Sequence, residues 1–249
     1  MAPQVSNKEW YTTWFDSPYY ELLYKERDQH EADTFITNLI GYLKPPAGSL
    51  MLDIACGKGR HALSLSKMGF NVTGFDLSAK NIKAAKKNEN GHLTFNIHDM
   101  RRPFMVNYYN VILNLFTSFG YFENEKENQA VLENIYNALT PNGIFVLDFM
   151  NMKRALHCLE ADHKKTVEGV TFRTSKSIDK EGYLLKEIYV EDLPLRYEFK
   201  ERIKIYTLAT LQQHLTDCGF DILKIFGDYN LGDFNSETSD RLIIISKKP

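Results

Sequence analysis

Two carboxylates and two glycines stand at a spacing that could hold a nucleoside. Asp53 lies in an apolar run that leads into a turn with Gly57 and Gly59, and Asp76 ends a second apolar run 23 residues later. In a nucleotide-binding βαβ unit an acid about 20 residues further on reaches the ribose hydroxyls. Glycines let the backbone approach a ligand because no Cβ intervenes. The residues therefore predict a nucleoside site where two neighbouring strands end.

The glycine turn leaves the type of nucleotide open. A dinucleotide fingerprint has a third glycine, and this chain has Ala62 there, which is a tolerated variant. A P-loop is excluded because no G-x-x-x-x-G-K-[ST] motif follows the strand. An NAD site therefore remains an alternative at this point.

The elements that must position these residues alternate between strand and helix. Helices are predicted over 59–68 and 78–90, each followed by a glycine, and over 125–139, where apolar residues share one face. Further on, 208–218 is predicted as a helix capped by Thr207. Such alternation predicts a doubly wound α/β fold with a parallel sheet.

The motifs resemble those of the class I S-adenosylmethionine-dependent methyltransferases. The first motif of that family reads acid-x-G-x-G-x-G, and 53–59 matches it with Ala55 at the first glycine position. Asp76 is similar to the acid that binds the ribose diol. Asp99 and Met100 are similar to the pair that meets the adenine.

The resemblance continues in order along 48–150. Residues 109–116 resemble the fourth strand of the family, and 138–148 resemble the turn and the fifth strand. The resemblance implies a seven-stranded, mostly parallel sheet whose last strand runs antiparallel between the fifth and the sixth.

The resemblance also implies S-adenosylmethionine as cofactor and S-adenosylhomocysteine as product. The residues that it places at the cofactor are Asp53, Ala55, Cys56, Gly57, Gly59, Asp76, Leu77, Asp99, Met100, Asn114 and Leu115. Tyr20 is added because amino-terminal segments of the family often fold over the cofactor. Arg60 could bind a carboxylate, either of the methionine part or of an acidic substrate, and a solvated first-turn side chain is the alternative. Each acid alone has a structural alternative: Asp76 could cap a helix, although Ser78 is better placed, and Asp99 could be a loop carboxylate.

The chain divides into three parts. Residues 1–47 form an aromatic, helical amino-terminal cap, and 48–150 with 207–249 form the cofactor-binding core. Residues 151–206 form a β-rich insertion with three predicted extended runs, at 165–177, 182–191 and 196–207. Methyltransferases of this fold that act on small molecules are similar in carrying such strands as a substrate lid, and a dimer contact is the alternative.

Methyl transfer from a sulfonium is an in-line displacement, so positioning matters more than acid–base chemistry. We expect Tyr24, Phe116, Phe119 and Tyr121 to line the acceptor pocket. If the acceptor must lose a proton, the candidate bases are His61 and Asp148. Both also have structural interpretations.

Composition restricts the partners. The net charge of −2 argues against a broad nucleic-acid surface, and no apolar segment reaches 18 residues. The amino terminus lacks the basic and apolar regions of a signal peptide, so a cytoplasmic location is expected. Cys56, Cys158 and Cys218 resemble neither a disulfide framework nor a zinc site, and no metal is predicted.

The preferred function is methyl transfer to nitrogen or oxygen of a small molecule. The Asn-Pro-Pro-Tyr motif of amino-methyltransferases that act on nucleic acids is replaced by Asn114-Leu-Phe-Thr. The alternatives are a non-catalytic cofactor-binding protein and an NAD-dependent oxidoreductase. The oxidoreductase would need a catalytic Tyr-x-x-x-Lys pair or a similar arrangement, and the sequence has no such spacing at a position suited to catalysis. The sequence leaves the acceptor and the oligomeric state open.

Overall fold

The computed structural model describes residues 10–157, 159 and 163–249. The helices are α1 (Trp10–Trp14), α2 (Pro18–Leu23), α3 (Gln29–Leu43), α4 (Arg60–Lys67), α5 (Ala79–Ala85), α6 (Glu125–Ala138), α7 (Met152–His157) and α8 (Leu208–Asp217). The strands are β1 (Leu50–Ile54), β2 (Asn71–Asp76), β3 (Leu93–Ile97), β4 (Tyr109–Asn114), β5 (Leu139–Met150), β6 (His163–Val167), β7 (Val170–Ile178), β8 (Tyr183–Asp192), β9 (Leu195–Lys204), β10 (Asp221–Phe226) and β11 (Arg241–Lys247).

The main sheet has seven strands in the order β3-β2-β1-β4-β5-β11-β10. All pairs are parallel except those of β11, which runs antiparallel to both β5 and β10. The five central residues of β11 are all buried, as expected of a strand covered on both faces, whereas β3 and β10 expose side chains at the edges. The predicted doubly wound, seven-stranded fold with an antiparallel last strand is confirmed.

Alternate residues of the central strands enter two hydrophobic cores on opposite faces of this sheet. On β11, Leu242 and Ile244 face the core that includes the second sheet, while Ile243 and Ile245 face the core of α3, α4 and α5. This alternation follows from the two-residue period of a strand. It fixes the register of the sheet and therefore the strand ends that form the site.

The insertion forms a second, antiparallel sheet in the order β6-β7-β8-β9. The predicted single run at 165–177 is wrong, because it consists of two strands joined by a turn at Glu168 and Gly169. Both turn residues have positive φ, 50° and 85°. A two-residue turn of this conformation matches the twist of a tight hairpin.

The amino-terminal helices α1 and α2 pack against the second sheet. Trp14 is fully buried, and its ring centroid lies 4.8 Å from that of Phe199 on β9. The predicted caps are confirmed: Ser78 accepts from the N–H of Asn81, and Thr207 accepts from the N–H of Thr210.

Some predictions concern residues outside the described ones, namely those on the amino terminus (1–9) and on Cys158. Cys56 and Cys218 are free thiols, and burial raises the pKa of both. Among the helices that the structure describes, none is both long and apolar enough to cross a membrane.

Candidate active site

Three clefts meet at the carboxyl ends of β1, β2 and β4. The β2 cleft is lined by Asp76, Leu77, His98, Asp99 and Met100, among others. The lining of the β1 cleft includes Asp53, Ala55, Cys56, Gly57, Arg60, His61 and Leu115. The insertion cleft adjoins the second sheet and the paired ends of β5 and β11, and its charged lining residues are Arg27, Arg154, Lys176, Lys186, Glu201, Asp240 and Arg241. Phe15, Tyr20 and Phe116 line all three clefts, so the clefts join at these rings.

Asp76 connects the end of β2 to the glycine turn after β1. Its Oδ2 accepts from the N–H of Gly57 at 2.8 Å, and its Oδ1 accepts from the N–H of Ser78 at 2.8 Å. Burial raises the pKa of this carboxyl, and the two backbone hydrogen bonds oppose that effect. The carboxylate is thus held at the rim of the β2 cleft, with lone pairs left for a ligand hydroxyl.

Gly57 and Gly59 are required in the turn for different structural reasons. A Cβ on Gly57 (φ 57°) would meet no atom within 4 Å, so this glycine leaves open space beside the cleft. A Cβ on Gly59 (φ 80°) would overlap the ring of Phe95, so this glycine allows α4 to pack on β3. Ala55, where the family has glycine, also adopts a positive φ of 58°, a conformation that costs an ordinary residue about 1 kcal/mol.

Asp53 is a buried carboxylate with an incomplete set of partners. It is 1% exposed, and its Oδ2 has no hydrogen-bond partner among the described residues. Burial raises its pKa to about 7. Because an unpaired buried carboxylate is unfavourable, a positively charged or N–H-bearing ligand in the β1 cleft would complete this site. The amino group of S-adenosylmethionine fits that requirement.

Asp99 lines the β2 cleft and is paired with Arg101. The Arg101 side chain donates Nε and Nη2 to the Asp99 carboxylate, at 3.0 Å to Oδ1 and 2.7 Å to Oδ2. Burial raises the pKa of Asp99, but the hydrogen bonds and charge of Arg101 outweigh burial and hold it below its usual range. The Arg101 pair leaves Asp99 charged and fixed at the cleft wall.

Two consecutive residues after β4 adopt the left-handed conformation. Phe116 and Thr117 have φ of 60° and 59°, which is unfavourable for a β-branched residue such as Thr117. Asp148 on β5 stabilises this turn, because its Oδ2 accepts from the N–H of Phe116 at 2.8 Å. Arg241 on β11 donates Nε to Asp148 Oδ1 at 2.7 Å and Nη2 to Thr117 Oγ1 at 3.0 Å. The turn presents the Phe116 ring where the clefts join.

The geometry does not favour either candidate base. Asp148 is fully buried, lines none of the three clefts, and also accepts from the Tyr229 hydroxyl at 3.0 Å. His61 lines the β1 cleft, but burial lowers its pKa to about 3, so its ring binds a proton poorly. The position of Asp148 is therefore that of a structural residue. The His61 ring is neutral and has little tendency to take up a proton.

Three further residues predicted at the site do not line the clefts. Gly59 packs on Phe95, and Asn114 is fully buried between β4 and β1, with its Nδ2 donating to the Ile54 carbonyl at 3.4 Å. Phe119 is 1% exposed and stacks on Tyr206 at a centroid distance of 5.6 Å, so it belongs to the core. The other predicted side chains, including Tyr20, Tyr24, Phe116 and Tyr121, lie in the clefts.

Sequence reasoning missed a buried polar network at the insertion cleft. Glu201 on β9 accepts at Oε1 from Trp14 Nε1 (2.7 Å) and from the Tyr24 hydroxyl (2.8 Å). Lys186 on β8 donates to the Tyr24 hydroxyl at 2.7 Å, and its Nζ lies 3.9 Å from Glu201 Oε2. The network joins residues far apart in the sequence, and no local motif shows that Lys186 and Glu201 lie on a covered face of their strands.

The comparisons with known proteins agree with this architecture. A family model described as a methyltransferase domain matches residues 51–143. The chain is 27% identical to a glycine/sarcosine N-methyltransferase of Halorhodospira halochloris, over 89% of this chain and 82% of the relative. A solved S-adenosylmethionine-dependent methyltransferase of Clostridium acetobutylicum superposes with a TM-score of 0.74 at 17% identity, covering 92% of this chain and 95% of that one. The amino pentose methyltransferase CalS10 from Micromonospora echinaspora, solved with S-adenosylmethionine bound, superposes with a TM-score of 0.69 at 17% identity, covering 94% and 98%.

A methyltransferase domain spans residues 51–143. Over most of its length the chain is similar to S-adenosylmethionine-dependent methyltransferases, and this similarity supports the S-adenosylmethionine-dependent methyltransferase that the motif resemblance predicted.

Proposed function

We propose that the β1 and β2 clefts hold S-adenosylmethionine, and that the insertion cleft holds a small acceptor molecule that is methylated on nitrogen or oxygen. The observation that carries this proposal is the junction of the three clefts at Phe15, Tyr20 and Phe116. Two ligands in adjoining clefts can bring their reacting atoms together only where the clefts meet.

The β2 cleft would take the adenosine part. Asp76 would accept from the ribose hydroxyls, since its backbone contacts leave lone pairs free. Asp99 would accept from the adenine amine, and Leu77 and Met100 would pack on the ring. The β1 cleft would take the amino-acid part, with Asp53 at the amino group and Arg60 at the carboxylate.

The junction suits a positively charged sulfur. When bound, S-adenosylmethionine would supply a methyl group on a sulfonium: a lone pair of the acceptor would bond to the methyl carbon as the bond from that carbon to sulfur breaks, and neutral S-adenosylhomocysteine would leave. The faces of Phe15 and Tyr20 would attract such a cation and exclude water. The Phe116 ring already has guanidinium groups over it, with the Cζ atoms of Arg60 and Arg27 at 5.0 Å and 5.4 Å from its centroid. Burial raises the pKa of Tyr20, so its hydroxyl stays neutral.

The division of the chain follows from these roles. Residues 48–150 and 207–249 would form the cofactor-binding core, 1–47 would cap it, and 151–206 would form the acceptor lid. The contribution of Arg27 and Tyr24 to two clefts supports the capping role of the amino-terminal part, because these residues close the space between core and lid. Two relatives whose names specify glycine/sarcosine and amino pentose substrates support a small, nitrogen-bearing acceptor.

The test is calorimetric titration of the protein with S-adenosylmethionine, S-adenosylhomocysteine and NAD. We expect micromolar binding of the two sulfur nucleosides, at least tenfold weaker in Asp76→Ala and little changed in Asp217→Ala, an exposed carboxylate on α8. Tight binding of NAD alone, or equal affinities for wild type and Asp76→Ala, would contradict the assignment. Formation of S-adenosylhomocysteine with a panel of amines and alcohols then separates an enzyme from a binding protein.

A further inference from the structure

The insertion cleft has an excess of positive charge. Five cationic side chains line it: Arg27, Arg154, Lys176, Lys186 and Arg241. Its two carboxylates are Glu201 and Asp240. Asp240 is already paired with a lining cation, because its Oδ1 lies 2.7 Å from Arg154 Nη1. Arg27 is paired with Glu31 and Arg241 with Asp148, and Lys186 faces Glu201. Among the described residues, Lys176 is therefore the lining cation that is left without a paired carboxylate.

Lys176 is the cation with the fewest counter-charges. Within the part of the chain that the structure describes, its side chain makes no ion pair or hydrogen bond. It stands directly opposite Lys186 in the pairing of β7 with β8. Like charges at opposed positions of two strands repel each other, and the charge of Lys176 adds to burial in lowering the pKa of Lys186. An anion beside Lys176 would relieve this repulsion.

Glu201 completes the same row of residues, because it stands opposite Lys186 in the pairing of β8 with β9. Its side chain is 12% exposed, and its Oε1 is occupied by Trp14 and Tyr24. Among the residues that the structure describes, the one polar group near its Oε2 is the Lys186 ammonium, at 3.9 Å, and Glu201 lines the cleft. This oxygen can accept a hydrogen bond from a ligand.

The location of Glu201 relates it to the reacting centre. Its Oε1 accepts from Trp14 and Tyr24, whose ring centroids lie 5.6 Å and 5.0 Å from that of Tyr20, and Tyr20 lines all three clefts. Lys176 stands two strands away, about 10 Å along the sheet. A negative and a positive group thus face one cleft, with the negative group nearer to the junction.

We propose that the acceptor is a small amine that also carries an anionic group, with the amine bound at Glu201 and the anion at Lys176. This inference rests on the proposed function of the insertion cleft and specifies its substrate class. Glu201 orients the amine toward the junction of the clefts, and Lys176 selects acceptors that carry a carboxylate or a similar anion.

The experiment is calorimetric titration of the protein, saturated with S-adenosylhomocysteine, with ω-amino acids of increasing length and with their carboxamides. The series is glycine, sarcosine, β-alanine, 4-aminobutyrate and 5-aminovalerate. We expect at least one acid to bind tenfold or more tightly than its amide, since the amide lacks only the charge. Lys176→Gln removes this preference and Lys176→Arg keeps it. Lys200→Gln is the matched control, because Lys200 is exposed on the opposite face of β9.

Each outcome decides a different point. If S-adenosylhomocysteine binds but no acid is preferred over its amide, or Lys176→Gln behaves like Lys200→Gln, the inference about substrate class is wrong and the cofactor assignment stands. If S-adenosylhomocysteine does not bind, the proposed function itself fails. Glu201→Gln adds an independent readout: we expect weaker binding of acid and amide alike, with the ratio between them unchanged. A selective effect of Glu201→Gln on the acids would contradict the proposed orientation.

Discussion

Replacing Asp53 with asparagine tests whether burial of the Asp53 carboxylate lowers the free energy of unfolding. The pKa of Asp53 is raised from an ordinary value of 3.8 to about 7 because it is buried. The folded chain therefore keeps a proton that the unfolded chain releases above about pH 4, and the free energy of unfolding must fall as pH rises toward 7. With 1.36 kcal/mol for each pH unit between the two pKa values, this loss amounts to about 2.5 kcal/mol between pH 5 and pH 8.

The side chain of Asp53→Asn cannot ionise, so the free energy of unfolding of this variant does not show that decrease with rising pH. We expect the difference in free energy of unfolding between variant and wild type to rise by about 2.5 kcal/mol in favour of the variant from pH 5 to pH 8. Urea denaturation at four pH values measures it, with the exposed Asp217→Asn as control. Parallel pH profiles for Asp53→Asn and wild type would refute the reasoning. The same variant should bind S-adenosylhomocysteine more weakly, because the proposed partner of the amino group has lost its charge.

Further predictions concern the same strand ends. Gly59→Ala should lower the free energy of unfolding by about 2–4 kcal/mol, because its methyl group overlaps a buried ring at positive φ, whereas Gly57→Ala should cost about 1 kcal/mol and mainly weaken cofactor binding. Asp148→Asn should lower the free energy of unfolding by about 3 kcal/mol, because it leaves the buried guanidinium of Arg241 without its counter-charge. Asp240→Asn is the control: Asp240 is 72% exposed, so urea denaturation should show a loss of less than about 1 kcal/mol. Binding of S-adenosylhomocysteine at pH 6 should release protons as Asp53 ionises, which calorimetry in two buffers of different ionisation enthalpy detects.

The cofactor side was predictable because its signals are local. The acids and glycines occur within single strand–turn–helix units, and their order along the chain fixes which strand ends they occupy. The confirmed position of β11 came from the resemblance to a family, since nothing in its apolar sequence specifies an antiparallel neighbour. The cofactor roles of individual residues stay predictions.

The acceptor side was less predictable because it depends on register between strands. Lys176, Lys186 and Glu201 form a row only through the pairing of β7, β8 and β9. The sequence interpretation merged β6 and β7, because a Glu-Gly pair is a weaker turn signal than Asn-Gly or Asp-Gly. Phe119 was misplaced because the left-handed conformation two and three residues earlier redirects the loop, and positive φ at non-glycine residues leaves no sequence signal.

The distribution of the clefts along the chain has an evolutionary consequence. The polar groups at the proposed cofactor lie between residues 53 and 99, whereas the second sheet is one continuous segment, residues 163–204. Mutations in that segment can therefore change the charges that meet the acceptor without altering any residue that meets the cofactor. A descendant chain could acquire a new methyl acceptor by exchanging a single stretch of the gene. The same arrangement makes the segment a practical unit for grafting between related enzymes.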